Sequence, residues 1–380
     1  MSEWKEVRLG DFFKVKHGFA FKGKNITAEK TSNILVTPGN FHIGGGFKSD
    51  KFKYFDSECP KEYILNGNDI VITMTDLSKE TDTLGYSAKI PKSNNGEKYL
   101  HNQRIGLVQF KNNDAFPDYL YWLMRTREYQ GYIIGSASGT SIMHTSPSRI
   151  EGYQFLIPPL LEQKAIAEVL SSLDDKIDLL HRQNKTLEKM AETLFRQWFI
   201  EEADENWEEI TFGEIVQPKK GKNLTKNEAI DGPYPVVAGG IEPSCYHINS
   251  NTDEPVVTIS ASGANAGFVK LYTTKVWSSD SSFIDYSITP FVYFSYIFLK
   301  INQNILFDKQ TGSAQPHIYP AQIMELNCFN YPKTLIENYE NWCKPLFKKI
   351  KFNQTQIRTL EKLRDTLLPK LMSGEVKVKF

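Results

Sequence analysis

Between Ile166 and Trp198 the apolar residues return in alternating steps of four and three: Ile166, Leu170, Leu173, Ile177, Leu180, Leu187, Ala191, Leu194 and Trp198. The mean step, about 3.5 residues once Asn184 is counted, is that of a coiled-coil seam and not merely of an amphipathic stripe. Asn184 fills the seam position between Leu180 and Leu187. A lone Asn at such a site weakens a helix pair while fixing its register or partner. Pro158-Pro159-Leu160-Leu161-Glu162-Gln163-Lys164 opens the segment, and Pro159 suits a first helical turn, where a missing N–H costs nothing. No stop signal occurs before Phe199, so the segment predicts a helix of about forty residues, roughly 60 Å long at 1.5 Å per residue. Such a helix needs a second one to bury its seam.

The chain supplies that partner by repeating itself. Thr186-Leu187-Glu188-Lys189 returns 173 positions later as Thr359-Leu360-Glu361-Lys362, and Thr193-Leu194 as Thr366-Leu367. At the same offset Gly139, His144, Pro147 and Ile150 return as Gly312, His317, Pro320 and Ile323, and Pro159 returns as Pro332. The fronts of the repeats match at an offset of 203: Trp4-Lys5-Glu6-Val7-Arg8-Leu9-Gly10-Asp11 against Trp207-Glu208-Glu209-Ile210-Thr211-Phe212-Gly213-Glu214. The first repeat therefore holds 30 extra residues. A second, less regular seam runs through Leu346, Ile350, Asn353, Ile357, Leu360, Leu367 and Leu371, and it too carries an Asn. The order is globular unit (1–157), long helix (158–202), globular unit (203–331), long helix and tail (332–380). Tandem helices joined by a compact domain can lie antiparallel about a pseudo-twofold axis. The predicted fold is α+β: two globular units held apart by two long helices in an antiparallel coiled coil.

Forty per cent hydrophobic and 13% aromatic residues exclude general disorder. Lys+Arg and Asp+Glu balance at 45 each, so net charge advertises no nucleic-acid partner. Local charge says more. Lys14, Lys16, Lys22 and Lys24 cluster early; Lys48, Lys51 and Lys53 follow Gly44-Gly45-Gly46; Lys219, Lys220 and Lys222 surround Gly221 at the front of the second repeat. One such cluster is more often solvated surface than phosphate contact, but these recur. Cys59, Cys245, Cys328 and Cys343 form no C-x-x-C pair and have no zinc-like His spacing. The charged N-terminus lacks a signal-peptide core and no run of apolar residues is long enough to span a bilayer, so a soluble cytoplasmic protein is expected.

Short strands are expected at 4–9, 33–37, 66–74, 100–108 and 255–260, helices at 117–129 and 291–301, and a basic tail or short strand at 370–380. Polar loops fall at Ser136–Ser141, Ser262–Gly267 and Gln310–Gln315. The recurring lysine clusters raise a nucleic-acid role, which needs donors and acceptors for base edges and cations for phosphates. Candidates in the first unit are Lys22, Lys24, Asn40, Lys48, Lys51, Ser78, Lys79, Arg104, Ser138 and Thr140. In the second they are Lys219, Lys220, Lys222, Asn223, Ser262, Asn265, Lys309, Gln310 and Gln315. The loops are stronger candidates than any single residue in them.

The P-P-L-L-E-Q-K-A-I-A start at Pro158, the two W-x5-G-[DE] fronts, the G-[ST] loops and the paired helices resemble the specificity (S) subunit of type I restriction–modification enzymes over essentially the whole chain. The second helix departs from the pattern, reading Lys333-Thr334-Leu335-Ile336-Glu337 without Glu-Gln-Lys. The resemblance implies two target recognition domains, each reading one half of a bipartite double-stranded DNA target. It implies helices that set the spacing and recruit two methyltransferase (M) subunits, with translocating endonuclease (R) subunits joining. It implies no cofactor on this chain: S-adenosylmethionine, ATP and Mg would belong to the partners.

The residues independently favour a non-catalytic chain. There is no Asn/Asp-Pro-Pro-aromatic motif of an adenine methyltransferase and no G-x-x-x-x-G-K-[ST] of an ATP-driven motor. A nuclease pattern built from Pro117-Asp118 and Glu162-x-Lys164 has its parts far apart, and Glu162 suits a helix start for dipole reasons alone. His144 and His317 recur without a partner Ser or Cys and read as loop or packing residues. The rivals are a coiled-coil scaffold that never touches DNA, a lone nuclease or methyltransferase, and a spare S chain exchanged by recombination.

Overall fold

In the computed structural model, which describes residues 4–76, 78, 81–93, 96–139, 142–312 and 315–379, both long helices are present. The first spans Leu160–Arg196 without a break and continues as one π-helical turn, Gln197–Glu201. The second spans Lys333–Met372. Ile166, Leu170, Ile177, Leu180, Ile350, Ile357 and Leu371 are buried, and Leu173, Asn184, Leu187, Leu194, Leu346, Leu360 and Leu367 are half-buried. The chain divides into two compact units, each taking a part of both helices: Met1–Ile177 with Thr359–Phe380, and Asp178–Arg358. In the first unit Asp174 meets Arg364; in the second Asn184 meets Asn353 and Ala191 meets Tyr339. One number rises as the other falls, so the helices pair antiparallel.

In the first unit a four-stranded antiparallel sheet has the order Phe13–His17, Ile105–Phe110, Ile70–Thr73, Ser87–Lys89. A second sheet places Lys53–Phe55 beside Asn33–Val36, and Asn33–Val36 parallel to Lys98–His101, with the two-residue strands Ile26–Thr27 and Ile64–Leu65 at its edges. Lys5–Arg8 pairs antiparallel with Gln154–Ile157, which ties the front of the unit to the residues that lead into the first helix. Tyr119, Leu120, Trp122 and Ile133 pack with Ile166, Leu170, Leu368 and Leu371 in one core.

The second unit repeats this plan. Its four-stranded sheet runs Lys219–Lys220, Ser281–Asp285, Val256–Ser260, Val269–Tyr272. Its second sheet keeps three strands, Cys245–His247, Tyr234–Val237 and Trp277–Ser278, the last two parallel. Glu209–Thr211 pairs with Asn327–Phe329, as Lys5–Arg8 does with Gln154–Ile157. The extra residues of the first repeat lengthen loops, most of all between Asn33–Val36 and Ile70–Thr73, where one of the additional edge strands lies. Ile150 and Ile323, matched by the repeat, are both fully buried on short helices, Pro147–Glu151 and Pro320–Met324. The core gathers Phe195, Phe199, Phe212, Phe294, Phe298 and Tyr339.

Two local expectations are corrected, and of the two readings of the C-terminal residues the tail holds, though shorter. The strand expected at 100–108 is two, Lys98–His101 and Ile105–Phe110, because each belongs to a different sheet and the chain must turn sharply between them. The helix expected at 117–129 stops at Leu123 and restarts as Arg127–Gly135, where the Thr126 hydroxyl accepts from the Tyr129 N–H at 3.3 Å as an N-cap. Beyond Met372 no strand forms among the described residues; the second helix extends to that point instead.

Candidate nucleic-acid interface

In each unit the four-stranded sheet ends in a cluster of polar loops, built in the same way. The first sheet strand finishes at a glycine, Gly18 or Gly221, pressed against the turn that precedes the adjacent strand. A Cβ at Gly18 would stand 2.1 Å from the Asn102 carbonyl oxygen, and one at Gly221 2.5 Å from those of Ser278 and Ser279. No side chain fits either place. The strand beyond that adjacent one in the sheet, Ile70–Thr73 or Val256–Ser260, then leaves under the same two backbone hydrogen bonds. The Met74 N–H donates to the Arg104 carbonyl (2.9 Å) and the Thr145 N–H to the Met74 carbonyl (3.0 Å). In the second unit Ala261 N–H donates to Asp280 (3.1 Å) and Ile318 N–H to Ala261 (2.9 Å).

A short hairpin stem closes the cluster. Ser138 and His144 exchange backbone hydrogen bonds at 3.0 and 2.8 Å, and Thr311 and His317 do so at 2.9 and 2.8 Å. Gly139 and Gly312 follow the stem with φ of 123° and 96°, a left-handed conformation suited to glycine. The recurring histidines are thus stem residues. His144 Nδ1 lies 3.0 Å from the Thr75 hydroxyl, and His317 stacks on Tyr319 at 5.9 Å. Beside the first stem Asp76 is buried. Burial pushes its carboxyl up, but hydrogen bonds from Thr83 and Ser78 outweigh this and hold it below its usual value. It is a loop anchor.

The sequence candidates fall into distinct places. Arg104 is exposed on the turn between the two sheets, and Lys219, Lys220, Lys222 and Asn223 are exposed around Gly221 at the corresponding edge of the second unit. Ser138 sits in the first stem and accepts from Arg149 at 3.4 Å; Gln315 is exposed beyond the second stem. Lys22 and Lys24 are exposed after Gly18, Lys51 is exposed after the triple-glycine loop, and Lys48 pairs with Asp50 at 3.6 Å. Lys309 pairs with Glu325 at 3.7 Å, and Asn265 is half-buried in the Gly263–Asn265 turn. Lys79 and Thr140 lie outside the described residues.

Four candidates are turned inward, which reassigns them from readers to anchors. Asn40 is 1% exposed: its oxygen accepts from Thr37 N–H (3.0 Å) and its amide donates to the Lys48 and Lys51 carbonyls (3.3 and 3.1 Å). Gln310 donates to the Ala266 carbonyl at 2.7 Å, Ser78 donates to Asp82 at 2.9 Å, and the Ser262 hydroxyl donates to Asp280. Polar type alone cannot separate these residues from surface donors, since a loop's own backbone needs partners too.

Sequence reasoning also missed the anchors of the Pro158–Lys164 motif. Glu162 accepts from the Trp4 indole at 3.3 Å. Gln163 accepts from Phe116 N–H and donates to the Pro158 carbonyl, both at 2.8 Å. Both side chains are buried, so the motif is a structural latch between the first strand, the domain core and the helix start.

Two units of one topology, alike in framework and unlike in the side chains at the equivalent edge, with two antiparallel helices shared between them, define a tandem-repeat protein of paired α+β domains. The model of the type I restriction modification DNA specificity domain matches residues 1–189. The MjaIX specificity subunit of Methanocaldococcus jannaschii is 28% identical over 301 residues, 69% of each chain. A Mycoplasma pneumoniae protein named as a type I specificity subunit is 25% identical over 334 residues, 83% of this chain and 82% of its own. The solved S subunit of a type I restriction–modification system from M. genitalium has the same fold, with a TM-score of 0.59 at 21% identity over 98% of this chain and 96% of that one. The chain is similar over most of its length to specificity subunits of type I restriction–modification systems, and its first half matches their DNA specificity domain. Among the described residues no helix is long and apolar enough to cross a membrane.

Proposed function

We propose that this chain reads a bipartite, asymmetric double-stranded DNA sequence, one half with each unit, on behalf of a type I restriction–modification complex. The observation that carries the reading is the repeated sheet edge. One framework is built twice, down to matching glycines, hairpin stems and backbone hydrogen bonds, while the side chains it carries differ: exposed Arg104 occupies the place of half-buried Asp280, and Phe19 that of exposed Lys222. Duplicated scaffolds with divergent surface chemistry suit two different half-sites.

In this proposal the helices recruit two methyltransferase subunits, and R subunits join the complex in the cytoplasm. S-adenosylmethionine, ATP and Mg serve those partners, and this chain supplies recognition and no catalytic group. The test is methylation mapping. The chain is co-produced with the methyltransferase subunit of its own system in a methylation-free host, and the genome is sequenced with modification detection. A split motif that vanishes when the chain is omitted is expected. Replacing residues 1–157 with another such domain should change one half only. A soluble complex that leaves no split motif, or a swap that alters both halves, overturns the reading.

A further inference from the structure

The exposed polar groups at the sheet edge ride on different elements in the two units. In the first unit Gly18 is followed by Phe19 and Ala20, and Phe19 packs on Phe21 and Tyr63 with ring centroids 5.2 Å apart in each pair. No cation follows directly. The turn Asn102-Gln103-Arg104 projects instead, with Gln103 and Arg104 both exposed. Among the described residues neither side chain makes a hydrogen bond or ion pair.

The base of that turn is fixed from every side. Gln103 N–H donates to the Phe19 carbonyl (2.9 Å), Arg104 N–H to the Asn102 side chain (2.9 Å) and Ile105 N–H to the Asn102 carbonyl (3.0 Å). His101, fully buried, places its Nε2 2.8 Å from the Ile105 carbonyl. Burial holds this imidazole neutral, down at about 4, so Nε2 carries the donated proton.

The second unit reverses the arrangement. Its turn is withdrawn: Ser279 is buried and accepts from Leu224 N–H at 2.9 Å, and Asp280 accepts from Ser262. The residues after Gly221 project in its place. Lys222 and Asn223 are exposed, and their side chains have no partner among the described residues. Lys222 is held by its backbone, its N–H donating to the Ser278 carbonyl (2.9 Å) and its carbonyl accepting from the Trp277 indole (2.8 Å).

We propose that Gln103 and Arg104 are the specificity-determining residues of the first unit, and that Lys222 and Asn223, on the neighbouring element, are those of the second. The inference rests on the DNA-reading function proposed above. Long donors without internal partners, mounted on a backbone that cannot yield, are what direct reading of base edges needs. Arg and Lys suit guanine O6 and N7; Gln and Asn suit adenine N6 and N7. The two units would then address their half-sites from different elements of one framework.

The test compares wild type, Q103A/R104A, K222A/N223A and R104K, each in complex with the methyltransferase subunit and scored by methylation mapping. Circular dichroism melts check that the variants fold. Q103A/R104A should lower discrimination in the first unit's half by about 10-fold or more and leave the other half intact. K222A/N223A should do the reverse. R104K keeps the cation but loses the bidentate fork, so it should relax the first half while total DNA binding is retained. A wild-type complex with no split motif overturns the DNA-reading function itself. A normal wild-type motif that both double variants reproduce overturns only this assignment. So does a uniform loss of binding with the motif unchanged, which would mark these residues as phosphate contacts.

Discussion

Asn353 and Asn184 meet across the helix pair of the second unit, the Nδ2 of Asn353 donating to the Oδ1 of Asn184 at 2.9 Å. Asn353 is fully buried, and its own Oδ1 has no hydrogen-bond partner. The two polar interruptions of the apolar seams are therefore one contact. It forms only when these two positions face each other, which fixes the register of the antiparallel pair. Asn353→Ala leaves a cavity and an unpaired amide, and it should cost about 1–3 kcal/mol. The double variant N184L/N353L should equal or exceed wild type in urea melts, because both polar groups go at once. Additive losses would mean that the pair contributes nothing as a pair.

Asp174 binds two arginines in the first unit, Arg125 Nη1 and Arg364 Nη1, each at 2.6 Å. Arg125, buried and stacked 4.3 Å over Trp122, also donates Nε–H to the Gly44 carbonyl at 2.9 Å. The site thus ties the triple-glycine loop to both helix segments of its own unit. Asp174→Asn leaves a buried guanidinium without its counter-charge and should destabilise the unit by about 3–5 kcal/mol. Hydrogen exchange should show the loss spread through the first unit.

The same carboxylate sets an acid limit. Burial pushes Asp174 up, but Arg125 and Arg364 outweigh it and hold the group below its usual value. The folded state then binds a proton less readily than the unfolded chain, so this stability is complete above the ordinary carboxylate range and is lost as pH falls through it. Wild type should lose stability below about pH 4, and D174N should lack that component in pH-dependent melts.

Glu340 acts in the opposite sense. It is 2% exposed and accepts from Tyr293 N–H (3.1 Å) and Phe294 N–H (3.0 Å), capping the helix Val292–Ile301 from the second long helix. Burial pushes its carboxyl up to about 7, and the backbone donors only partly offset this. Here the folded state holds a proton that the unfolded chain has lost. Stability should therefore fall as pH rises from about 4.5 to 7, by on the order of 3 kcal/mol at most. Glu340→Gln keeps an acceptor for the helix N–H groups without the charge. It should remove this slope and be more stable than wild type at pH 8, as read by thermal melts.

Gly18→Ala and Gly221→Ala test the shared framework of the sheet edge. Each new methyl would meet a backbone carbonyl at 2.1 or 2.5 Å, well inside contact distance. Each should destabilise its own unit by about 2 kcal/mol or more and weaken recognition of one half-site only, measured by melts and methylation mapping.

The parts of this protein legible in advance are those in which sequence spacing carries geometry. The seam Ile166, Leu170, Leu173, Ile177, Leu180 was legible because helical period maps straight onto one face. The matched Pro147/Pro320 and Ile150/Ile323 were legible because both repeats build the same short helix. Phe195 and Phe199 were not, since they lie one position off the seam and are buried by the domain core that the helix end enters. Asn40 and Gln310 looked like surface donors, yet their partners are backbone carbonyls 8 to 11 and 44 residues away in the chain. Nothing local to either residue announces such a partner.

By itself the sequence determined the duplicated order of unit and helix, the length and facing of the helices, and the two Asn positions. Each follows from periodicity or repetition along the chain. Only the tertiary structure decided that strand 98–101 and strand 105–110 serve different sheets, that Asp174 joins Arg125 to Arg364, and that the exposed donors sit on the turn in one unit and after the glycine in the other. These depend on which distant residues fill each polar group's hydrogen-bonding capacity, and that accounting closes only when the chain has folded.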